Sequence, residues 1–334
     1  LKAIVYTEYG PPDVLQLKEV EKPAPQANEI LIRILATSVN YGDLVARRFS
    51  HVKPHEFNMP LPFWLLARLA FGYRRPKNTI LGNELAGEIE AVGAQVTHFR
   101  VGDQVFGYRG QSMRANAEYV CMPEDGEVAL KPHNLTFEQA AVVPYGAITA
   151  LNLLRKANIQ KGQKVLILGA SGSIGSAAVQ LATHLGAHVT GVCSTPRMAF
   201  VKSLGADQVI DYTRTDFTQS GETYDLIFDI LGKSSFSRCR GSLKQAGIYL
   251  LASFKLRHLT DMLVTSVAGR QKVICAMTPE KTGDLQRIKA LIEAGTLTAV
   301  VDRCFPLEQT ADAHRYVEQG FKKGPVAITV DHTS

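Results

Sequence analysis

The chain has 334 residues, 46% of them hydrophobic and 20% charged, a soluble composition too long for one ordinary core, so two domains are predicted. No run approaches the apolar length of a membrane span and no charged-then-apolar leader opens the chain, so neither feature is expected. The formal charge of +6 is spread along the chain with acids between the bases, which describes a solvated surface and argues against a dedicated nucleic-acid role.

In chain order, residues up to about Met122 read as short strands and turns, as in a compact β-rich domain. Ile30 to Ala36 is an apolar-rich strand. Glu84 to Val92 alternates, and the pattern resumes at Gln104 to Gly107. From about Phe137 helices and strands alternate. Glu138 to Ala141 begins a helix, Pro144-Tyr145-Gly146 interrupts it, and Ala147 to Arg155 continues. Strands are predicted at Val165 to Leu168, His188 to Cys193, Gln208 to Ile210, Leu226 to Ile230 and Ile248 to Ala252, with Lys272 to Ala276 a candidate sixth. Arg197 to Leu204 reads as a helix. This alternation predicts an α/β class with a doubly wound parallel sheet, its ligand at the carboxyl ends of the strands. From about Thr278 the tail predicts helices at Asp284 to Ala294 and Gln309 to Gln319 and a last strand at Val326 to Val330.

The organising stretch is KVLILGASGSIGSAAVQLA, Lys164 to Ala182. A continuous apolar run enters a turn of small residues and then an apolar-periodic segment. Ala170, Gly172 and Gly175 stand at the three positions of the dinucleotide fingerprint, with Ser171, Ser173 and Ile174 between them. In that fingerprint the glycines let the backbone approach a pyrophosphate, which the helix N-terminus then holds. An ordinary strand-to-helix turn is the plain alternative. After the second strand, Thr190 to Arg197 contains no acid, whereas an NAD site places Asp or Glu there. Ser194 and Arg197 suit a 2′-phosphate and point to NADPH. The alternative is that Ser194 caps the next helix and Arg197 is a surface residue. Tyr212 either stacks on adenine or packs.

The five cysteines, Cys121, Cys193, Cys239, Cys275 and Cys304, are far apart, odd in number and include no CxxC pair. Neither a disulfide framework nor a structural zinc lobe is expected, and a reducing compartment is the simplest setting. A cytoplasmic location is the expectation. The numbering starts at Leu1, so an organelle address stays open.

Taken together, Gly82-Asn83-Glu84-Leu85-Ala86-Gly87, Val101-Gly102-Asp103-Gln104-Val105, Thr149-Ala150, the A-x-G-x-x-G turn and Leu204-Gly205-Ala206-Asp207 resemble the medium-chain dehydrogenase/reductase superfamily. The resemblance covers nearly the whole chain and is greatest to the zinc-independent quinone oxidoreductase group. It implies a GroES-like catalytic domain over residues 1–124, an NADPH-binding Rossmann domain over 125–276, and a C-terminal part, 277–334, completing the catalytic domain. It further implies a homodimer that reduces a quinone or an α,β-unsaturated carbonyl. Zinc members carry Cys in the segment occupied here by Asn40-Tyr41-Gly42-Asp43 and Gly-His-Glu at Gly82-Asn83-Glu84, and neither Asn40 nor Asn83 suits Zn²⁺. Without a Lewis acid, hydride transfer favours acceptors whose product anion is delocalised.

By the same resemblance, Asn40 holds the ribose or substrate oxygen. Tyr41 donates a hydrogen bond or proton, unless it packs at a domain edge and solvent supplies the proton. Tyr145 and Thr149 border the nicotinamide, with Leu231, Gly232 and Ser253 on its other side. Lys322 and Lys323 lie where the family places a basic contact to the phosphates. Two other readings stay open: an NADP-dependent carbonyl reductase or alcohol dehydrogenase of the same fold, and a non-catalytic dinucleotide-binding or crystallin-like structural protein. Residues 57–71, FNMPLPFWLLARLAF, are longer than the corresponding region of quinone reductases. They wall an apolar pocket near the cleft mouth, pack on the body as a helix, make an oligomer contact or touch a membrane surface. Length, Arg68 and two prolines exclude a span.

Overall fold

The computed structural model describes residues 1–277, 283–320 and 322–332. In chain order the elements are β1 (Lys2–Val5), β2 (Gln16–Glu19), β3 (Glu29–Val39), α1 (Tyr41–Arg47), α2 (Leu61–Phe71), β4 (Glu84–Val92), β5 (Gln104–Tyr108), β6 (Tyr119–Pro123), β7 (Val128–Leu130), α3 (Phe137–Ala141) and α4 (Pro144–Ala157). There follow β8 (Lys164–Leu168), α5 (Ser173–His184), β9 (His188–Cys193), α6 (Met198–Ser203), β10 (Gln208–Asp211), β11 (Tyr224–Asp229), α7 (Phe236–Cys239), β12 (Leu243–Leu251), α8 (Leu256–Ala268) and β13 (Lys272–Cys275). The tail adds α9 (Asp284–Glu293), β14 (Arg303–Pro306), α10 (Thr310–Glu318) and β15 (Val326–Thr329). Residues 278–282, where the tail is expected to begin, lie outside the described residues.

Two units result. One comprises Leu1–Val52, Leu66–Tyr145 and Glu280–Ser334, the other Lys53–Leu65 and Gly146–Pro279. The expected boundary at residue 125 lies inside the first unit, because α3 packs on β3, β4 and β15.

The first unit is built on β3, whose sequence EILIRILATSV is rich in β-branched and aliphatic residues. It pairs antiparallel with β4, β6 and β15, and Ile30, Ile32, Ile34 and Ala36 are fully buried. The sheet runs β14-β15-β3-β4-β5-β7, with β6 also on β3. The C-terminal strand Val326–Thr329 thus pairs directly with β3.

The second unit is a six-stranded parallel sheet in the order β10-β9-β8-β11-β12-β13. Numbered from β8 as first strand, this is the 3-2-1-4-5-6 order of dinucleotide-binding sheets. Val165, Leu166 and Ile167 of β8 are fully buried, as a strand covered on both faces requires.

Several elements depart from the sequence expectation, with α1, α7 and β14 among those it did not include. Where an interruption is predicted at Pro144, the helix begins instead, since a proline at the first helical position forfeits no intrahelical hydrogen bond. The helix α8 has no predicted counterpart; Leu259 and Met262 pack it on the core, while its Leu256, Leu263, Val264 and Val267 are exposed. Ahead of α2, the backbone is fastened within the second unit. Phe254 N donates to Asn58 O at 3.0 Å, and Lys255 Nζ donates to His55 O at 2.9 Å and to Phe57 O.

Candidate functional site

At the end of β8, Gly169 adopts φ +88°, a left-handed turn that side chains disfavour. A Cβ on Gly175 would lie 2.1 Å from Gly169 O, so only glycine lets α5 pack on this turn. At Gly172 the nearest atom to a Cβ is Gly169 O at 3.6 Å, which leaves its outer side open. Gly172 occupies the N-cap position of α5, with no side chain capping the helix. An uncapped start on a twelve-residue helix, reached through an open glycine, fits a pyrophosphate. Ala170 is fully buried, and its methyl packs where a Cβ on Gly191 would come within 3.1 Å. Ser171 and Ile174 are buried, and Ser173 is half-buried. Gly146 plays a matching part from α4: a Cβ there would lie 2.4 Å from Ser173 O.

After β9, Ser194 stands before the short turn Thr195–Arg197 and its hydroxyl makes no cap, so the capping alternative is not realised. Arg197 is half-buried. Tyr212 is 62% exposed, so it does not pack in the core. The sequence reading missed Asp211, which β10 sets in register with Cys193. Its carboxylate accepts from Thr195 Oγ1, from Thr213 N at 3.0 Å and from Thr213 Oγ1 at 2.7 Å, which hold it below the usual carboxylate range. Arg197 and Asp211 act oppositely on the Cys193 thiol, which burial pushes up to about 11.

A second missed carboxylate, Asp229, ends β11 and is 1% exposed. Its Oδ1 accepts from Leu231 N at 3.1 Å and Gly232 N at 2.9 Å; its Oδ2 accepts from Ser234 N at 3.0 Å and Tyr249 OH at 2.8 Å. These bonds fix the loop that brings Leu231 and Gly232 against neighbours of the fingerprint. Leu231 Cγ would lie 3.1 Å from a Cβ on Gly169, and Ser253 O 2.3 Å from one on Gly232. Gly169, Leu231, Gly232 and Ser253 are therefore assembled at one place.

In the first unit, Asn40 caps α1 in a reciprocal pair with Asp43. Asn40 Oδ1 accepts from Gly42 N at 2.9 Å, while its Nδ2 donates to Asn83 Oδ1 and, at 3.2 Å, to Glu84 Oε2. Both amide hydrogens are thus taken, so Asn40 can meet a ligand only as an acceptor through Oδ1. Glu84, which the sequence reading left without a role, is the hub. Its Oε2 also accepts from Ser38 Oγ at 2.5 Å, and its Oε1 from Tyr145 N at 2.8 Å. Burial pushes the Glu84 carboxyl up to about 7 and that of Asp43 up to about 6. Burial and Glu84 push the Tyr145 phenol up to about 12, and its ring lies 5.9 Å from that of Tyr108. Tyr41, the first residue of α1, is 48% exposed. Thr149 follows Tyr145 by one helical turn on α4 and is half-buried. Lys323 is exposed and donates its backbone N–H to Asp302, while Lys322 is half-buried.

Comparison with known proteins decides the family. Residues 26–152 match the profile described as alcohol dehydrogenase GroES-like domain, and residues 204–328 the one described as zinc-binding dehydrogenase. The 2-methylene-furan-3-one reductase of Solanum lycopersicum is 30% identical over 98% of this chain and 79% of its own length. The chloroplastic NADPH-dependent alkenal/one oxidoreductase of Arabidopsis thaliana matches at the same identity and coverage. The solved quinone oxidoreductase of Coxiella burnetii superposes with a TM-score of 0.84 at 28% identity, over 99% of both chains. This chain belongs to the medium-chain dehydrogenase/reductase superfamily, in its quinone oxidoreductase-like group.

A superfamily with zinc-binding members requires a test of the donors. At Asn40 and Asn83 this quinone oxidoreductase-like chain offers amides bonded to one another, and the carboxylate of Glu84 is already occupied by three donors. Zn²⁺ takes thiolate, imidazole or carboxylate, so this donor set does not fit it. Among the described residues no group of three or more His, Cys, Asp or Glu could hold a metal ion. The dinucleotide turn, by contrast, keeps the open backbone and uncapped helix that the superfamily's cofactor needs.

Proposed function

We propose that this quinone oxidoreductase-like chain moves hydride from NADPH to a quinone or an α,β-unsaturated carbonyl without a catalytic metal. The carrying observation is the polar cluster around Glu84: two amides bonded to each other, and a buried carboxylate whose oxygens already accept from Ser38, Asn40 and Tyr145, stand where a Lewis acid would need free thiolate, imidazole or carboxylate ligands. The relatives named for furanone and alkenal/one reduction support the same acceptor class. NADPH supplies the hydride.

The chain's own residues bind and orient. Gly172 and the start of α5 receive the pyrophosphate, and Arg197 with Ser194 receives the 2′-phosphate. Asp211 lies near that phosphate position, but its charge is turned onto Thr195 and Thr213. The loop built by Asp229 carries Leu231 and Gly232 to the nicotinamide end, with Ser253 beside them. Thr149 and Tyr145 border the ring from α4, and Asn40, locked by Glu84, accepts from a ribose hydroxyl. Tyr41, exposed at the start of α1, donates a hydrogen bond to the oxygen on which charge develops. In this reading the β-rich unit is the catalytic domain and the six-stranded unit binds NADPH.

We place the protein in the cytoplasm, where its unpaired thiols stay reduced. We further propose a homodimer, for which the exposed apolar face of α8 and the adjoining edge strand β13 offer a surface.

The deciding assay follows NADPH oxidation with quinones, enones and simple ketones. Turnover is expected with the first two classes. Ketone-only turnover would establish the carbonyl reductase reading, and binding of NADPH without turnover of any acceptor the structural one.

A further inference from the structure

The outward side of α2 is apolar throughout. At 100° per residue, Leu61, Pro62, Leu65, Leu66, Leu69 and Ala70 occupy one half of the helix, and all six are exposed. The four leucines are between 52% and 69% exposed. The other half carries Phe63, Trp64, Ala67, Arg68 and Phe71, each half-buried. The helix is therefore amphipathic in the reverse of the ordinary sense, with its one charged residue toward the body and its aliphatic face outward. Its end is fixed rather than frayed. Tyr9 OH shares its one proton between Phe71 O at 2.8 Å and Gly72 O at 2.9 Å, and the Phe71 ring lies 4.9 Å from that of Phe49. A contiguous aliphatic face on a firmly held helix marks an interaction surface.

Charge identifies the partner. No Asp or Glu occurs between Glu56 and Glu84, a stretch that holds Arg68, Arg74, Arg75 and Lys77. Arg74, Arg75 and Lys77 are exposed directly beyond the C-terminal end of α2. Lys77 Nζ donates to Leu69 O at 2.7 Å, which holds this cation beside the apolar face. Tyr73, 67% exposed, lies under the Arg68 guanidinium at 4.4 Å. Aliphatic residues beside a basic, aromatic flank are what a helix lying in an anionic bilayer surface requires. We infer that α2 docks this protein on anionic lipid surfaces as a peripheral contact, Leu61, Leu65, Leu66 and Leu69 entering the acyl boundary and Arg74, Arg75 and Lys77 meeting the headgroups. With eleven residues the helix lies in the surface and does not cross it. This inference is independent of the reductase assignment.

The chain's single tryptophan, Trp64, lies on this helix and reports on it. The full chain is sedimented with phosphatidylcholine vesicles and with vesicles holding about one third phosphatidylserine, while Trp64 emission is followed. The expected result is at least tenfold stronger binding to the anionic vesicles, weakened by 0.5 M salt and accompanied by a blue shift. Leu65→Glu with Leu69→Glu should abolish binding, and Arg74→Glu with Arg75→Glu should remove the preference for anionic lipid. All four side chains are exposed at the surface, and far-ultraviolet circular dichroism with the thermal midpoint serves as the check that the variants fold. Three results would overturn the inference: no binding to anionic vesicles, equal binding to both vesicle types, or a dimer in lipid-free solution that the leucine variant dissociates. The last would give the face to a second copy.

Discussion

At the residue scale, two charged side chains carry separable consequences. Glu84 is fully buried with its carboxyl raised from an ordinary 4.5 to about 7, burial being the main cause. Because the folded-state value lies above the unfolded one, the protonated form favours the fold. That stabilising contribution is complete below about pH 4.5 and is lost as the pH rises through about 7, amounting to about 3 kcal/mol at most. Glu84→Gln removes the titration while keeping an acceptor for Tyr145 N, so the thermal midpoint should become flatter between pH 4.5 and 7 than in the parent chain. An unchanged slope would show that Asp43 dominates that window. The same variant turns an amide NH₂ toward Asn40 Nδ2 and should raise the KM for NADPH severalfold through misplaced Asn40. Arg197 acts on a different quantity. A charge-assisted bond to a 2′-phosphate contributes about 1.5–3 kcal/mol, so Arg197→Ala should raise the KM for NADPH roughly ten- to a hundredfold and leave that for NADH nearly unchanged. Equal effects on both dinucleotides would assign the selectivity elsewhere, with Asp211 the next residue to test.

At the element scale, the fingerprint turn depends on one close approach. A Cβ on Gly175 would sit 2.1 Å from Gly169 O and 2.8 Å from Ala170 Cα, both backbone atoms that cannot step aside. Gly175→Ala should therefore push α5 off the turn, costing about 1–3 kcal/mol in chemical denaturation and most of the dinucleotide affinity by fluorescence titration. Gly172→Ala meets nothing nearer than 3.6 Å, so it should keep the fold and lose affinity only through the side of the turn that faces the ligand. The turn was legible in the sequence because its information is local: a buried strand, small residues and a helix follow one another within nineteen positions. Glu84, Asp211 and Asp229 were not legible as working residues for the opposite reason. Glu84 acts through Tyr145, 61 positions on. Although Asp211 and Asp229 also hold neighbours two to five positions away, their bonds to Thr195, just past β9, and to Tyr249 of β12 cross between strands, and no spacing rule records such pairings. The helix α8 escaped because apolar residues stand on both its sides, Leu259 and Met262 packed on the core and Leu256, Leu263, Val264 and Val267 exposed, so periodicity marks no single core side. Pro144 misled because proline starts helices as readily as it breaks them.

At the scale of the whole molecule, the first unit is closed by residues from opposite ends of the chain. The Arg47 guanidinium, 1% exposed, donates to Gly10 O at 3.1 Å, contacts His314 Nδ1 at 3.0 Å and pairs with Glu318. Arg315, on the same helix as His314, pairs with Asp13 and, at 2.6 Å, with Asp312. The closing of β15 on β3 therefore has a buried polar counterpart, joining residues 267 positions apart. Removing one partner of such a set leaves the others buried without compensation, so Arg47→Met should cost about 3–5 kcal/mol. Arg47→Met with His314→Leu should recover part of that loss, because both buried polar groups then leave together. The pH dependence of this cluster runs opposite to that of Glu84. Burial and Arg47 hold the His314 imidazole at about 3, below its ordinary 6.5, so the neutral ring favours the fold. Its contribution is fully present above pH 6.5 and is lost as the pH falls through about 3. Arg47 donates to Nδ1 only while that nitrogen keeps its lone pair, so protonation at either nitrogen sets two cations against each other. His314→Leu should consequently flatten acid unfolding between pH 6.5 and 3, followed by far-ultraviolet circular dichroism. If acid unfolding keeps its full steepness in that variant, carboxylates rather than this imidazole govern the low-pH limit of the fold.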